Sequence, residues 1–241
     1  MKTRTLAVVS WLVVGHAVLG GLFWLLLQVP ESNALMLALS ALLVLALVYG
    51  VSLVQLMPLR AVGASEPFGR ALGVAARRAW LGVVPLAVFA AIWWATGAAQ
   101  TWATSHAGEA DAWFIARLGL TNTGWFHTSI HVVLAFLRFA LGAALAVSML
   151  AAIAGNGLKG LASGGWLRGA LGWRYLLLVA GAMIVGFALP YHALYWRPAS
   201  LPATWVQPAF AAAKLFVLYL VANAAWAFIL LKAPRRPAAS S

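Results

Sequence analysis

His127 and His131 stand four residues apart, so a helix through them presents both imidazoles on one face. His192 falls at the same end of a later apolar run, and His106, Glu109 and Asp111 lie in the connection just before His127. Three histidines with a carboxylate nearby are a ligand set for zinc or another divalent metal. The same residues equally make a hydrogen-bonded cluster at a membrane boundary, and His-x3-His is too short a pattern to decide between the two.

Four further polar residues interrupt long apolar runs: His16, Arg138, Lys214 and Asn223. By rise per residue, His16 and Asn223 lie roughly 15 and 12 Å from the same end of their spans. At that shared depth the plainest expectation is a hydrogen bond between the two helices, a kind of contact worth about 0.6 kcal/mol on average. The functional alternatives for His16 are a haem ligand or a proton carrier. Arg138 and Lys214 each stand sixteen positions before the end of their apolar run. This puts both roughly 24 Å from one boundary and about 6 Å from the other. Side chains of this length reach the headgroups from there. Two cations at one depth also suit an anionic ligand or lipid.

The elements that position these groups follow from composition. With 241 residues, 64% of them hydrophobic, 8% charged and a mean hydropathy of +0.94, the chain cannot cover the surface of a soluble domain. A hydrocarbon layer about 30 Å thick is crossed by roughly 20 apolar helical residues. Six runs meet that length, near residues 6–29, 33–57, 79–99, 128–154, 174–191 and 208–231. The predicted fold is therefore all-α, a single integral membrane domain built as a bundle of six transmembrane helices. The first run is longer than the core of a signal peptide and lacks a small-x-small cleavage site, so it reads as an uncleaved span. Met57-Pro58 is expected to end the second span, because proline breaks the hydrogen-bond ladder. Residues 65–80 read as an interfacial helix, with Ser65 as its cap and Pro67 in its first turn. Residues 111–118 read as a short amphipathic helix on the opposite side.

Charge sets the orientation. Twelve of the sixteen Lys and Arg residues fall in four clusters at span ends: Lys2 and Arg4; Arg60, Arg70, Arg77 and Arg78; Lys159, Arg168 and Arg174; Lys232, Arg235 and Arg236. Basic loops stay in the cytoplasm, so both termini are expected there. The clusters' expected partners are anionic headgroups, at about 1 kcal/mol per residue. The net charge of +12 implies no nucleic-acid partner, since the basic residues form no stripe. Glu31, Glu109 and Asp111 fall outside and only Glu66 inside, while Trp24, Trp93, Trp94, Trp102, Trp113, Trp125, Trp196 and Trp205 form an outer aromatic belt. Arg outnumbering Lys, with abundant Ala, points to a bacterial inner membrane.

Spans three–four and five–six read as two copies of a hairpin, each carrying one embedded cation. Stripes of small residues, Ala87, Ala91 and Ala95 in span three and Ala140, Ala144, Ser148 and Ala152 in span four, are expected to mark packing faces.

Several chemistries have no residues to carry them. No span contains a carboxylate, which disfavours a carboxylate-coupled transporter. There is no cysteine, no phosphate-binding Gly-x4-Gly-Lys loop, no Gly-x-Ser-x-Gly elbow and no His-Glu-x-x-His motif. The expected function is a non-enzymatic membrane protein, a small transporter, lipid-interacting protein or accessory subunit, with no cofactor and with Arg138 and Lys214 on an anionic ligand. The alternative is a metal- or haem-binding membrane enzyme using His127, His131 and His192.

Overall fold

The computed structural model describes residues 2–30, 32–63, 66–119, 122–198 and 205–234, of residues 2–4 the backbone only. Glu31, Ser65, Arg235 and Arg236, named above, lie outside the described residues. Everything described is helix or short connection, without a strand among the described residues. Six helices are long and apolar enough to cross a membrane: Thr5–Gln28, Ala34–Gly63, Phe68–Ser105, Gly124–Ala162, Trp173–Tyr195 and Val206–Leu231.

In detail, α1 (Lys2–Gln28) and α2 (Ala34–Gly63) form a hairpin. Then α3 (Phe68–Arg78) leads through a tight 3-10 turn, Ala79–Gly82, into α4 (Val83–Ser105). The connection on the far side contains α5 (Ala107–Leu118), closed by Gly119 with φ 63°. The fourth span is α6 (Gly124–Ala135), a π turn (Phe136–Leu141) and α7 (Gly142–Ala162). After the short α8 (Trp166–Ala170), the fifth is α9 (Trp173–Met183), a second π turn (Ile184–Ala188) and α10 (Leu189–Tyr195). The sixth is α11 (Val206–Leu231).

Burial is uneven across the membrane. The core residues Leu12, Leu56, Met57, Val147, Ile153, Val179, Ile229 and Leu230 all come from the half of the bundle nearest the termini and the basic clusters. Toward the other face, Phe23, Trp24, Leu35 and Leu37 of the first hairpin are exposed on the outside of the bundle. The expected small-residue stripe holds in span four, where Ala140, Ala144 and Ser148 are buried. It fails in span three, where Ala87, Ala91 and Ala95 face outward. There the packing face carries Pro85, Phe89 and Ile92, and a Cβ added at Gly142 would lie 3.3 Å from the Phe89 ring. Small residues on one helix receive large ones from the other, so one stripe suffices for close approach.

Pro58 does not end the second span. The helix runs through it to Gly63 with Pro58 fully buried. Proline at 58 deprives the Val54 carbonyl of its usual N–H donor, and the Trp11 indole N–H of α1 takes that place at 3.0 Å. The neighbouring helix thus completes the ladder.

A second interruption lies in the fourth span. Gly157 has φ 58° and ψ −137°, a conformation that only glycine adopts without strain, and it breaks α7. The break withdraws the amide donors that would satisfy the carbonyls of Ile153, Ala154 and Gly155. Arg78 donates to all three at 3.0, 2.8 and 3.0 Å. Arg60 donates to Ala154 at 3.1 Å and pairs through its other nitrogens with Glu66. That pairing holds the Glu66 carboxyl below its ordinary value. Arg60 and Arg78 were expected at headgroups; instead they turn inward onto a freed helix end, whose partial negative charge favours cations.

If the indole replaces the missing amide, Trp11→Phe should lower the unfolding free energy in detergent by about 1–2 kcal/mol, the cost of an unpaired buried carbonyl. Adding Pro58→Ala to that variant restores an N–H for Val54 and should recover part of the loss. Thermal unfolding of the single and double variants checks both.

Candidate functional site: the Arg138 groove

Arg138 sits inside the π turn Phe136–Leu141 of the fourth span. Such turns widen the helix by one residue per rung and recur at functional sites. Its guanidinium is held in place by α4. Nε donates to Thr96 Oγ1 at 3.0 Å, Nη2 reaches Gln100 Oε1 at 3.4 Å, and the plane lies 4.9 Å from the Trp93 ring centroid. Thr96 is itself fixed, buried, with its hydroxyl bonded to the carbonyls of Ile92 and Trp93. It therefore offers Arg138 an oriented lone pair. Among the described residues Nη1 has no hydrogen-bond acceptor and no carboxylate is paired with Arg138.

The guanidinium lines an open groove of about 790 Å³ along α4, together with Trp93, Trp94, Gln100, Thr101 and Thr104. That volume lies within the roughly 300–1,000 Å³ typical of small-molecule sites. A cation in a span, oriented by neighbours but lacking a counter-charge, can hold an anion from the groove side with its remaining N–H groups. Thr96 and Gln100 were missed as site residues because they lie near the end of an apolar run. Their i, i+4 spacing, which puts both on one face, was the available signal.

Lys214, expected to share this role, has other surroundings. Its ammonium donates to the carbonyls of Leu194 and Trp196 at 2.8 and 2.9 Å and lies 5.7 Å from the Phe210 ring. It caps the end of α10 and is absent from the lining of the Arg138 groove. The two π turns fall in spans four and five, positions that the expected hairpin repeat does not pair.

His16 and Asn223 meet as part of a longer chain. His16 Nδ1 lies 2.6 Å from Asn223 Oδ1, and His16 Nε2 lies 3.0 Å from the Gln55 amide nitrogen. The Trp226 indole donates to Gln55 Oε1, and Asn223 Nδ2 donates to the Tyr219 carbonyl at 2.9 Å. The donors run in one consistent direction. Trp226 orients the Gln55 amide, Gln55 donates to His16 Nε2, and His16 donates from Nδ1 to Asn223. With Gln55 6% and Asn223 4% exposed, this network ties α1, α2 and α11 together in the apolar interior. Both imidazole nitrogens are engaged, so His16 does not fit a haem-ligand role, which needs a free ring nitrogen.

The remaining histidines do not gather. His127 Nε2 pairs with Asp111 Oδ1 at 2.7 Å, joining α5 to α6. His131 and His192 are exposed, and His192 lies edge-on to Tyr191. Among the described residues no group of three or more His, Asp or Glu side chains is placed to hold a metal. Hydrogen bonds from Thr123 and then His127 hold the Asp111 carboxyl below its ordinary value.

Two outcomes are expected. His16→Leu leaves Gln55 and Asn223 both unsatisfied and should cost about 2 kcal/mol or more in detergent unfolding, whereas Trp226→Phe, which leaves only the Gln55 acceptor unpaired, should cost about 1 kcal/mol. For Asp111 the folded carboxyl is the stronger acid. Its contribution is complete above the ordinary carboxylate value and is lost as pH falls through the lowered one. Hydrogen exchange of α5 should accelerate over that acid range in the native protein and show no such step in Asp111→Asn.

No protein-family model, curated protein or solved structure matches this chain, so the reading of the site rests on its own geometry.

Proposed function

We propose that the protein is a non-enzymatic multi-pass membrane protein that holds the anionic group of an amphiphile at Arg138. One observation carries this reading. Where Arg60, Arg78 and Lys214 are bound to helix-end carbonyls, Arg138 is hydrogen-bonded to no backbone carbonyl and no carboxylate among the described residues. It is oriented by Thr96, Gln100 and Trp93 and borders an open groove along α4. A cation embedded in apolar surroundings without a partner is costly unless an anion joins it. Lipid phosphates are the anions present at this depth.

In the same reading the face with the termini is cytoplasmic and the membrane is a bacterial inner membrane. The basic clusters and the position of the Trp residues support that orientation. The small-transporter and accessory-subunit versions of the proposal share the Arg138 site.

The test is native mass spectrometry of the protein released from nanodiscs containing anionic lipid. Arg138→Gln should reduce retained phospholipid at least about tenfold, equivalent to 1.4 kcal/mol. Lys214→Gln should leave retention unchanged. Equal retention by Arg138→Gln and the native protein, with both folded by circular dichroism, would overturn the proposal.

A further inference from the structure

We propose that the ligand of the Arg138 groove is a phosphodiester whose head group carries a hydrogen-bond-donating arm, a hydroxyl or an ammonium. The inference rests on the Arg138 reading above and goes on to name the ligand class.

The groove is chemically polarised along α4. At one end Arg138 offers Nη1 and the remaining hydrogen of Nη2, and the Gln100 amide nitrogen beside it adds further donors. These suit two oxygens of a phosphate group. Toward the end of the helix the chemistry reverses. The groove there is lined by the hydroxyls of Thr101, Thr104 and Ser105. Thr101 directs its hydrogen to the Gly97 carbonyl at 3.1 Å and Thr104 to the Gln100 carbonyl at 2.9 Å, while Ser105 Oγ lies 2.8 Å from the Trp102 carbonyl and 3.0 Å from His106 Nδ1. A hydroxyl whose single hydrogen is so used presents only lone pairs outward. The rim therefore accepts and does not donate.

Thr104 stands one turn beyond Gln100, so the acceptor rim begins within about 6 Å of the phosphate end along the helix axis. A short arm bearing hydroxyl or ammonium hydrogens, attached to the phosphate, meets both ends at once. A phosphomonoester has no such arm, and a quaternary ammonium arm has no hydrogen to give. Phosphatidylglycerol and phosphatidylethanolamine heads satisfy the pattern, as does a water-soluble glycerophosphodiester with the same head.

The experiment places the full-length protein in nanodiscs containing equal parts phosphatidylglycerol, phosphatidylethanolamine, phosphatidylcholine and phosphatidic acid, and reads the retained lipids by native mass spectrometry. Phosphatidylglycerol and phosphatidylethanolamine should each be retained at least about tenfold over phosphatidylcholine and phosphatidic acid. The double variant Thr101→Val, Thr104→Val keeps the shape of both side chains and removes the two threonine acceptors, those nearest the phosphate end. It should bind phosphatidylcholine and phosphatidylglycerol alike, while still losing both when Arg138→Gln is added. Competition by glycerophosphoglycerol would assign the ligand to the soluble source, and lack of competition to the lipid; the head-group chemistry stands in either case. Retention of all four lipids without preference by the native protein, or an unchanged preference in the double variant, would overturn the inference while leaving anion binding at Arg138 intact. Retention independent of Arg138 would instead remove the reading on which it rests.

Discussion

Within a hydrocarbon layer every backbone N–H and C=O needs a protein partner, because an unsatisfied group there costs several kcal/mol. This constraint organises the bundle. The chain departs from regular helix at Pro58, at Gly157 and at the end of α10, and at each place carbonyls lose their amide donors. Each time a side chain from another element supplies the donor. Trp11 reaches Val54, Arg60 and Arg78 reach Ile153 to Gly155, and Lys214 reaches Leu194 and Trp196. These repairs also fix how the spans sit against one another, since every donor and its acceptor belong to different helices.

The same rule singles out Arg138. Three of the cations buried in or against the spans are consumed by freed carbonyls. Arg138 lies in a π turn but is bound by a threonine hydroxyl and a glutamine amide, which hold it in position without neutralising its charge. The buried chain from Trp226 through Gln55 and His16 to Asn223 makes the opposite case. There every polar side chain is paired, and the arrangement serves cohesion of α1, α2 and α11. A satisfied network and an unsatisfied cation, both embedded in apolar helices, thus have different purposes.

Much of the fold was legible because apolar run length answers directly to membrane thickness. The six spans, the short helix before His127 and the helix around Phe68 all occur in the expected order and places, though the second span runs past Pro58 to Gly63 and the short helix begins at Ala107. Pro58 misled because its compensation comes from Trp11, 47 positions away in the chain, which no local pattern reveals. Arg60 and Arg78 were read as headgroup contacts because the break at Gly157 that attracts them lies on another helix. His127, His131 and His192 suggested a metal site by type and spacing. The structure turns His127 to Asp111 and leaves the other two exposed, so their shared chemistry never converges.

The amino-acid sequence by itself determined that this chain is a helical membrane protein of six spans, because hydrophobic length and the clustering of basic residues are properties of composition along a line. It also placed Arg138 and Lys214 at matching depths. Only the tertiary structure decided that they differ. Whether an embedded cation is spent or available depends on which acceptors its neighbours bring to it, and those acceptors come from α4 for Arg138 and from the end of α10 for Lys214. Packing brings together partners that sequence separation hides, and in a membrane that pairing decides which charge is free to bind a ligand.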